Sequence, residues 1–294
     1  MSVSDDSALN AQVDFLREDV KYAQEHDLQT LSIFTARHSK DDKPLTGVIG
    51  EPSTTSSKIW VIYIHGGAWR DPLVTSSSFI PTINCLVSSS IESKIASFVS
   101  INYRLSSHPS FPQDSSSVPK HEYRNAKHPD HIQDIFGHSC GATLSMEIAK
   151  GKEYLHSCGI PDEDLNFKLP RYVLGVAGIY DLRYLRDTNP HPAYNEFLTE
   201  AFGSDEQLWD AVSPARFSNF DEFEKSGKIL AFATSPNDEL VDEIQIDVMV
   251  KNVQGIKGGV VVKNLKNQLR GTHNDIWKTG NLANAIVEVL RSSE

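Results

Sequence analysis

The chain has 294 residues, 39% of them hydrophobic and 23% charged, which is enough to bury a globular core. Its net charge of −11 at pH 7 argues against nucleic acid and anionic membrane surfaces as partners, because both repel an acidic protein. The 3 cysteines lack paired spacing, and the acidic start Met1–Asp6 lacks the apolar core of a signal peptide. We therefore predict a cytoplasmic protein without disulfides.

The first part of the chain predicts strands that alternate with helices. An amphipathic helix is expected over Asp14–His26, and a first strand over Gln29–Phe34. Ile59–Ile64 is a continuous β-favouring run, typical of a strand that is buried on both faces. A helix at Phe79–Ser90 and an apolar strand at Ala96–Tyr103 follow. This alternation favours a mostly parallel sheet.

The second part resumes the pattern after an irregular segment, Ser106–Asp130, which is rich in Ser, Pro and His. A sharp turn is expected over Phe136–Gly141, with a helix over Ala142–Gly151 that ends at glycine. Three more strands and a C-terminal helix are predicted at Val173–Ile179, Ile229–Thr234, Val260–Leu265 and Asn281–Arg291. No repeat or linker divides the chain, so we predict a single α/β domain over residues 1–294 with helices on both faces of the sheet.

The pentapeptide Gly137–Gly141, Gly-His-Ser-Cys-Gly, fits the nucleophile elbow G-x-S-x-G. In such an elbow the serine lies on a strained strand-to-helix turn, and the flanking glycines let neighbouring backbone pass closely. The pattern is short and also occurs in ordinary Gly-Ser loops. The β-like Ile135 and Phe136 before it, and the helix start after it, favour Ser139 as a nucleophile.

A second motif, His65-Gly66-Gly67-Ala68-Trp69, directly follows the buried strand. Paired glycines allow backbone N–H groups to approach a ligand oxygen, which is what an oxyanion hole requires. We predict the N–H groups of Gly67, Ala68 and Cys140 as its donors, and His65 as a structural residue that holds the loop. A tight Gly-Gly turn is the simpler alternative, but two motifs in this order favour the oxyanion hole.

A nucleophilic serine needs a base. In enzymes with a nucleophile elbow the chain order is serine, then an Asp or Glu that orients the base, then the histidine base. Three histidines lie downstream of Ser139. His156 follows the nucleophile helix too closely, and His191 lies between two prolines. His273 comes after the last predicted strand, in a loop at the carboxyl edge of the sheet. We therefore predict His273 as the base.

The acid that orients this base has three candidates. Asp238 lies just past the strand Ile229–Thr234, in the loop where the acid of such a triad belongs. Asp242 lies four residues further on and is expected to be helical already. Asp181 ends an earlier strand and is the main competitor. We predict Asp238 on position alone.

The remaining candidate residues carry weaker signals. His121, His128 and His131 lack zinc-ligand spacing and a nearby cysteine, so a solvated surface is the better interpretation and no metal or cofactor is predicted. Cys140 is expected to pack beside the nucleophile rather than to react. Trp69 and Tyr103 are expected near the pocket, where they could line it or simply pack in the core.

These motifs together resemble the fungal kynurenine formamidases (arylformamidases) of the α/β-hydrolase superfamily. The oxyanion motif and the elbow are shared with the wider esterase superfamily, whereas the Trp-Arg-Asp-Pro and His-Asn-Asp stretches are more particular to the formamidases. The matching segments cover most of the chain after residue 59: Tyr63–Pro72, Asn102–Ser106, Gly137–Thr143, Gly178–Leu182, Ser235–Leu240 and Gly271–Asp275.

The resemblance implies hydrolysis of N-formyl-L-kynurenine, a small-molecule substrate, to L-kynurenine and formate in tryptophan catabolism. It also implies that Ser139 attacks the formyl carbon while His273 takes its proton and Asp238 fixes the imidazole tautomer. A homodimer is the candidate assembly. A short-chain carboxylesterase would use the same residues with a different pocket.

One segment departs from the family pattern. In the family, the stretch that corresponds to His128–Asp134 opens a helix, and a buried strand then leads into the elbow. In this chain Phe136 and Gly137 follow almost at once, whereas a strand–helix–strand unit needs about 30 residues or more. We therefore predict that the crossover helix, or most of the strand before Ser139, is truncated, and that Ser139 is displaced or its strand short. A non-catalytic protein on the hydrolase fold would then be a further alternative.

Overall fold

The computed structural model describes residues 15–24, 26–36, 59–106, 132–165, 168–220, 223, 228–256 and 260–291. Within these ranges the strands are β1 Phe15–Lys21, β2 Thr30–Ala36, β3 Ile59–Ile64, β4 Ile95–Ile101, β5 Ile132–His138, β6 Tyr172–Val176, β7 Ile229–Ala233 and β8 Val261–Leu265. The helices are α1 Ile80–Leu86, α2 Cys140–Lys150, α3 Lys152–Ser157, α4 Leu182–Thr188, α5 Ala193–Phe202, α6 Glu206–Val212, α7 Ile244–Gly255, α8 Asp275–Lys278 and α9 Asn281–Arg291.

The eight strands form one sheet in the order β1-β2-β4-β3-β5-β6-β7-β8. The β1–β2 and β2–β4 pairs are antiparallel, and every pair from β4 to β8 is parallel. The predicted mostly parallel sheet is therefore confirmed. Because β3, β5, β7 and β8 all run the same way, the loops that follow them lie at one edge of the sheet.

Helices cover both faces of this sheet. The strand segments between them are rich in branched and aromatic side chains, which pack well on a doubly covered sheet. On one face α1 and α9 enclose a core with the strands, which includes Val61, Tyr63, Ile83, Phe136, Leu174 and Ile286. On the other face α2 and α7 enclose a second core, which includes Met146, Val173, Leu230, Phe232 and Met249.

The N-terminal element differs from its prediction. The helix expected over Asp14–His26 is wrong, because the structure has the strand β1 there. Within β1, the half-buried Leu16, Glu18 and Val20 alternate with exposed neighbours, which is the two-residue period of a strand. The ladder with β2 supplies the backbone hydrogen bonds of this edge strand, and such a partner is a tertiary feature.

The strand before the elbow also differs from its prediction. β5 has seven residues and pairs in parallel with β3 on one side and with β6 on the other. The predicted loss or shortening of this strand is therefore wrong, and the central position that holds Ser139 is complete. The expected crossover helix would fall between β4 and β5, where residues 107–131 lie outside the described part of the chain.

The composition of β5 nevertheless has a structural consequence at Asp134. This side chain is fully buried in the centre of the sheet, between Val61 of β3 and Tyr172 of β6. Neither of its carboxylate oxygens accepts a hydrogen bond of good geometry from a described residue, although the Tyr172 backbone lies close enough to favour the ionised form. Burial raises the pKa of Asp134 well above its ordinary value, while the nearby Arg171 guanidinium opposes this rise. The carboxyl group is therefore stabilised in its neutral form.

We expect Asp134 to make the folded protein less stable as the pH rises. Its pKa is higher in the folded state than in the unfolded chain, so stability falls once the pH passes the unfolded value, by about 1.4 kcal/mol per pH unit until the folded pKa is reached. The Asp134→Asn variant lacks this titration. Thermal unfolding between about pH 4 and pH 8 should therefore show the wild type losing stability relative to Asp134→Asn.

The matched control is Asp27→Asn. Asp27 is exposed, and its ion pair with Lys21 lowers its pKa, so it stays ionised over this range. Its variant should follow the wild type at each pH. Unfolding curves of wild type and Asp134→Asn that run parallel across the whole range would contradict a raised pKa at Asp134.

Candidate active site

Ser139 lies at the sharp turn between β5 and α2. Its backbone has φ 56° and ψ −123°, a conformation that residues other than glycine rarely adopt. The turn is held because the Ser139 N–H donates to the Val176 carbonyl at the end of β6, at 2.9 Å. Strain of this kind persists only where the surrounding structure enforces it, and it is common at functional sites. The local geometry is that of a nucleophile elbow.

The two glycines of the elbow are required by close backbone contacts. A Cβ atom on Gly137 would lie 2.2 Å from the Gly141 carbonyl oxygen. A Cβ atom on Gly141 would lie 2.2 Å from the carbonyl oxygen of Ile64, at the end of β3. The elbow can therefore pack against the end of β3 only because both positions lack a side chain.

The loop after β3 contains three successive residues with positive φ. These are Gly67 at 102°, Ala68 at 50° and Trp69 at 58°. The Gly67 carbonyl accepts hydrogen bonds from the amides of Arg70 and Asp71, both at 2.9 Å. In the described part of the chain, the amides of Gly67, Ala68 and Cys140 donate to no backbone carbonyl, although those of Ala68 and Cys140 interact with the Cys140 sulfur. Cys140 is the first residue of α2, whose N–H has no intrahelical partner.

His65 is buried and holds the loop after β3 through its side chain. Its Nδ1 lies 2.8 Å from the Gly66 carbonyl oxygen, and its ring stacks on that of Tyr103 with centroids 4.4 Å apart. Burial lowers the pKa of His65 to about 4, so the ring is neutral at pH 7 and Nδ1–H donates to the carbonyl. These contacts fix the start of the loop that follows β3.

The structure brings Asp238 and His273 into direct contact. Nδ1 of His273 lies 2.8 Å from Oδ2 and 3.0 Å from Oδ1 of Asp238, and both side chains are buried. Oδ1 also accepts the backbone N–H groups of Leu240 at 3.0 Å and Val241 at 2.9 Å. The carboxylate is thus fixed from two sides, with Oδ2 facing the imidazole.

A hydrogen bond from the elbow reaches the backbone of the loop that carries His273. His138, the residue before Ser139, has its Nε2 3.2 Å from the carbonyl oxygen of His273, and the two rings lie 4.6 Å apart. Burial lowers the pKa of His138 well below its ordinary value, so it is neutral and its Nε2–H donates. No hydrogen bond joins the Ser139 hydroxyl to His273 in the described part of the chain, which is the outcome predicted for a displaced Ser139, although the strand β5 before it is complete. Such bonds are often long before substrate binds.

The two competing carboxylates have other partners. Asp181 caps the N-terminus of α4 by accepting the Tyr184 N–H, and it forms an ion pair with Arg216 at 3.0 Å. Asp242 lies just before α7 rather than within it, and it accepts the side-chain amide of Asn189 at 3.2 Å. Of the three candidates, Asp238 is the one that contacts His273.

Three residues have contacts in the site that the sequence did not predict. Glu239 accepts the His273 backbone N–H at 2.9 Å, and the Tyr103 hydroxyl donates to the His65 carbonyl in the loop after β3 at 2.9 Å. The Cys140 side chain accepts the Trp69 N–H at 3.3 Å, and burial raises the pKa of its thiol to about 11. The thiol is therefore neutral at pH 7. Asn102-Tyr103-Arg104 immediately after β4 was the signal available for Tyr103.

The described residues contain no cluster of His, Cys, Asp and Glu that could hold a metal ion. His121, His128 and His131 lie outside the described residues. Among the helices that the structure describes, none is sufficiently long and apolar to span a bilayer.

The fold is similar to that of solved esterases. No protein-family model matches the chain. Esterase B of Lactobacillus rhamnosis is similar to it with a TM-score of 0.62 at 16% identity, covering 98% of this chain and 88% of that one. Carboxyl esterase 2 of Tuber melanosporum has a TM-score of 0.57 at 15% identity, covering 96% and 87%. The chain therefore has the α/β-hydrolase fold.

Sequence comparison gives the family. The chain is 36% identical over 253 residues to the kynurenine formamidase-like hydrolase fscH of Fusarium equiseti, covering 78% of this chain and 81% of that protein. It is 30% identical over 298 residues to the kynurenine formamidase avaC of Aspergillus versicolor, covering 88% and 97%. The kynurenine formamidase of Saccharomyces cerevisiae is 28% identical, covering 78% and 87%. The chain belongs to the kynurenine formamidase family, and the predicted resemblance is confirmed.

Proposed function

We propose that this chain is a serine hydrolase that cleaves the formamide of N-formyl-L-kynurenine to give L-kynurenine and formate. Family relatives that carry the name kynurenine formamidase support this substrate. The observation that carries the chemistry is the Asp238–His273 pair, 2.8 Å apart and buried, next to the strained turn of Ser139. A base held in one tautomer beside an elbow serine is the arrangement that activates a hydroxyl nucleophile.

The first half of the reaction forms the tetrahedral intermediate that leads to a formyl-enzyme. Because Asp238 accepts the proton on Nδ1 of His273, Nε2 is the free basic nitrogen. As Oγ of Ser139 attacks the formyl carbon, its proton passes to this nitrogen, and the formyl oxygen becomes an oxyanion. The amides of Gly67, Ala68 and Cys140 are the proposed donors to that oxyanion, each worth about 10²–10³ in rate.

The second half releases both products. His273 returns its proton to the anilide nitrogen as the carbon–nitrogen bond breaks, which releases L-kynurenine as an amine. Water then attacks the formyl ester while Nε2 takes its proton, and formate leaves as the proton returns to Oγ of Ser139. His65 and His138 are both buried beside the site and neutral, so neither adds a positive charge next to the imidazolium of His273.

The test compares two substrates on the purified chain. We expect turnover of N-formyl-L-kynurenine, measured by the absorbance of L-kynurenine, with a higher kcat/KM than for p-nitrophenyl acetate. A higher kcat/KM on the ester would instead favour a short-chain carboxylesterase. A folded chain that turns over neither substrate and does not react with a fluorophosphonate probe would favour a non-catalytic protein. A version with a family-length crossover between β4 and β5, assayed beside it, would measure what that segment contributes.

We also propose a domain organisation, a cellular location and a class of partner for this chain. The one continuous sheet supports a single domain over residues 1–294, which limited proteolysis would check. The free state of Cys85, Cys140 and Cys158 supports a reducing, cytoplasmic location, which imaging of a fluorescent fusion would check. The substrate is a small molecule, with neither nucleic acid nor membrane as a partner, in keeping with the net charge of −11. A homodimer stays a prediction for light scattering.

A further inference from the structure

The oxyanion loop is strained and must be held in place by its surroundings. Ala68 and Trp69 both have positive φ, a strained conformation for a residue with a side chain. The proposed donors Gly67 and Ala68 belong to this strained stretch. Their N–H groups can serve an oxyanion only if the loop keeps one conformation before the substrate arrives.

Tyr103 makes contacts that fix this conformation. It lies just after β4, and its hydroxyl is 2.9 Å from the His65 carbonyl oxygen and 3.1 Å from that of Gly66. The same hydroxyl lies 3.4 Å from Sγ of Cys140. Burial raises the pKa of Tyr103 well above its ordinary value, so the hydroxyl keeps its proton and donates it to these carbonyls.

The geometry of the peptide group converts these contacts into control of a donor. The carbonyl of Gly66 and the N–H of Gly67 belong to one planar peptide unit and point in opposite directions. The hydrogen bond from Tyr103 to the Gly66 oxygen therefore also fixes the direction of the Gly67 N–H, which points to the opposite side. The next peptide unit is treated in the same way, because the amides of Arg70 and Asp71 hold the Gly67 carbonyl and so orient the Ala68 N–H.

The third proposed donor is tied to the same contacts. Because the Cys140 thiol is neutral, it can donate to the Tyr103 hydroxyl while its sulfur accepts the Trp69 N–H at 3.3 Å. A chain of hydrogen bonds then runs from Trp69 through Cys140 and Tyr103 to Gly66. It joins the loop that holds Gly67 and Ala68 to the helix start that holds the Cys140 amide.

We propose that Tyr103 is a positioning residue of the oxyanion hole, whose hydroxyl holds the Gly66–Gly67 peptide and the Cys140 side chain in register for transition-state binding. This inference rests on the proposed function for its substrate. It assigns the residue after β4 to the stabilisation of the oxyanion rather than to the lining of the substrate pocket.

The test is the Tyr103→Phe variant, which keeps the ring that stacks on His65 and removes only the hydroxyl. We expect kcat on N-formyl-L-kynurenine to fall by about 10- to 100-fold, because misaimed donors stabilise the transition state poorly. KM and the affinity for the product L-kynurenine should stay unchanged, since neither the bound substrate nor the product carries the oxyanion. The rate of phosphonylation by a fluorophosphonate should fall in parallel, because its phosphoryl oxygen occupies the same hole.

The matched control is Tyr22→Phe. The Tyr22 hydroxyl donates to the carbonyl of Asn102 at 2.9 Å, so this variant loses the same type of bond on the neighbouring residue without a contact to the oxyanion loop. It should keep wild-type kcat and labelling rate. Equal losses in the two variants, or a rise in KM without a fall in kcat, would overturn the positioning role. Thermal unfolding of both variants verifies that each is folded.

The probe separates this inference from the proposed function. A wild type that does not hydrolyse N-formyl-L-kynurenine, but whose fluorophosphonate labelling is slowed by Tyr103→Phe, would remove the proposed substrate and support the positioning role. A wild type that hydrolyses it, with kcat unchanged in Tyr103→Phe, would do the reverse. A chain that neither turns over nor labels would remove both.

Discussion

Ser139→Ala should reduce turnover of N-formyl-L-kynurenine by about 10⁶-fold and abolish labelling by a fluorophosphonate probe. The reason is that the hydroxyl is the proposed nucleophile, so its loss removes the covalent step altogether. Alanine keeps a Cβ atom in the strained backbone of φ 56°, so the free energy of unfolding should change little. Kinetics with purified protein, together with mass spectrometry of the labelled peptide, measure both effects.

Ser145→Ala is the matched control for this variant. Ser145 is buried in α2, the helix that begins directly after Ser139, and its hydroxyl donates to the Gly141 carbonyl at 2.9 Å. The substitution removes the same atom one to two turns further along and should leave labelling and turnover near wild type. Probe attached to any serine other than Ser139 would contradict the assignment of the nucleophile.

Asp238→Asn should reduce kcat by about 10⁴-fold, the effect of holding a catalytic histidine in the wrong tautomer. The direction follows from the hydrogen bonds around the carboxylate. Oδ1 accepts the amides of Leu240 and Val241, so the asparagine carbonyl oxygen will keep that place. Its NH₂ group must then face Nδ1 of His273 and donate to it, which leaves the imidazole proton on Nε2. A protonated Nε2 cannot take the proton of Ser139.

Two neighbouring aspartates provide the comparison. Asp242→Asn changes a carboxylate on the same loop whose partner is Asn189, so kcat should stay near wild type. Asp181→Asn breaks the ion pair with Arg216 and weakens the cap of α4, which should lower the melting temperature more than kcat. A loss of kcat at Asp181 that exceeds the loss at Asp238 would move the acid to the end of β6.

The sequence by itself determined the elements whose constraints are local. The elbow and the proposed oxyanion loop can be recognised in the sequence because close backbone approach and positive φ favour glycine at fixed positions, as at Gly137, Gly141 and Gly67. The alternation of apolar strands and helices predicted a parallel sheet, and a parallel sheet gathers the loops after its strands at one edge. Asp238 and His273 could therefore be proposed together although 35 residues separate them along the chain.

The tertiary structure decided what depends on partners distant in the chain. β1 forms because β2 supplies its hydrogen bonds, and β5 persists with a buried Asp134 because β3 and β6 pair with it on both sides. The contacts of Asp181 with Arg216 and of Tyr103 with the oxyanion loop join segments 35 and 37 to 38 residues apart. No local pattern encodes such contacts, because each depends on which strand ends the sheet places side by side.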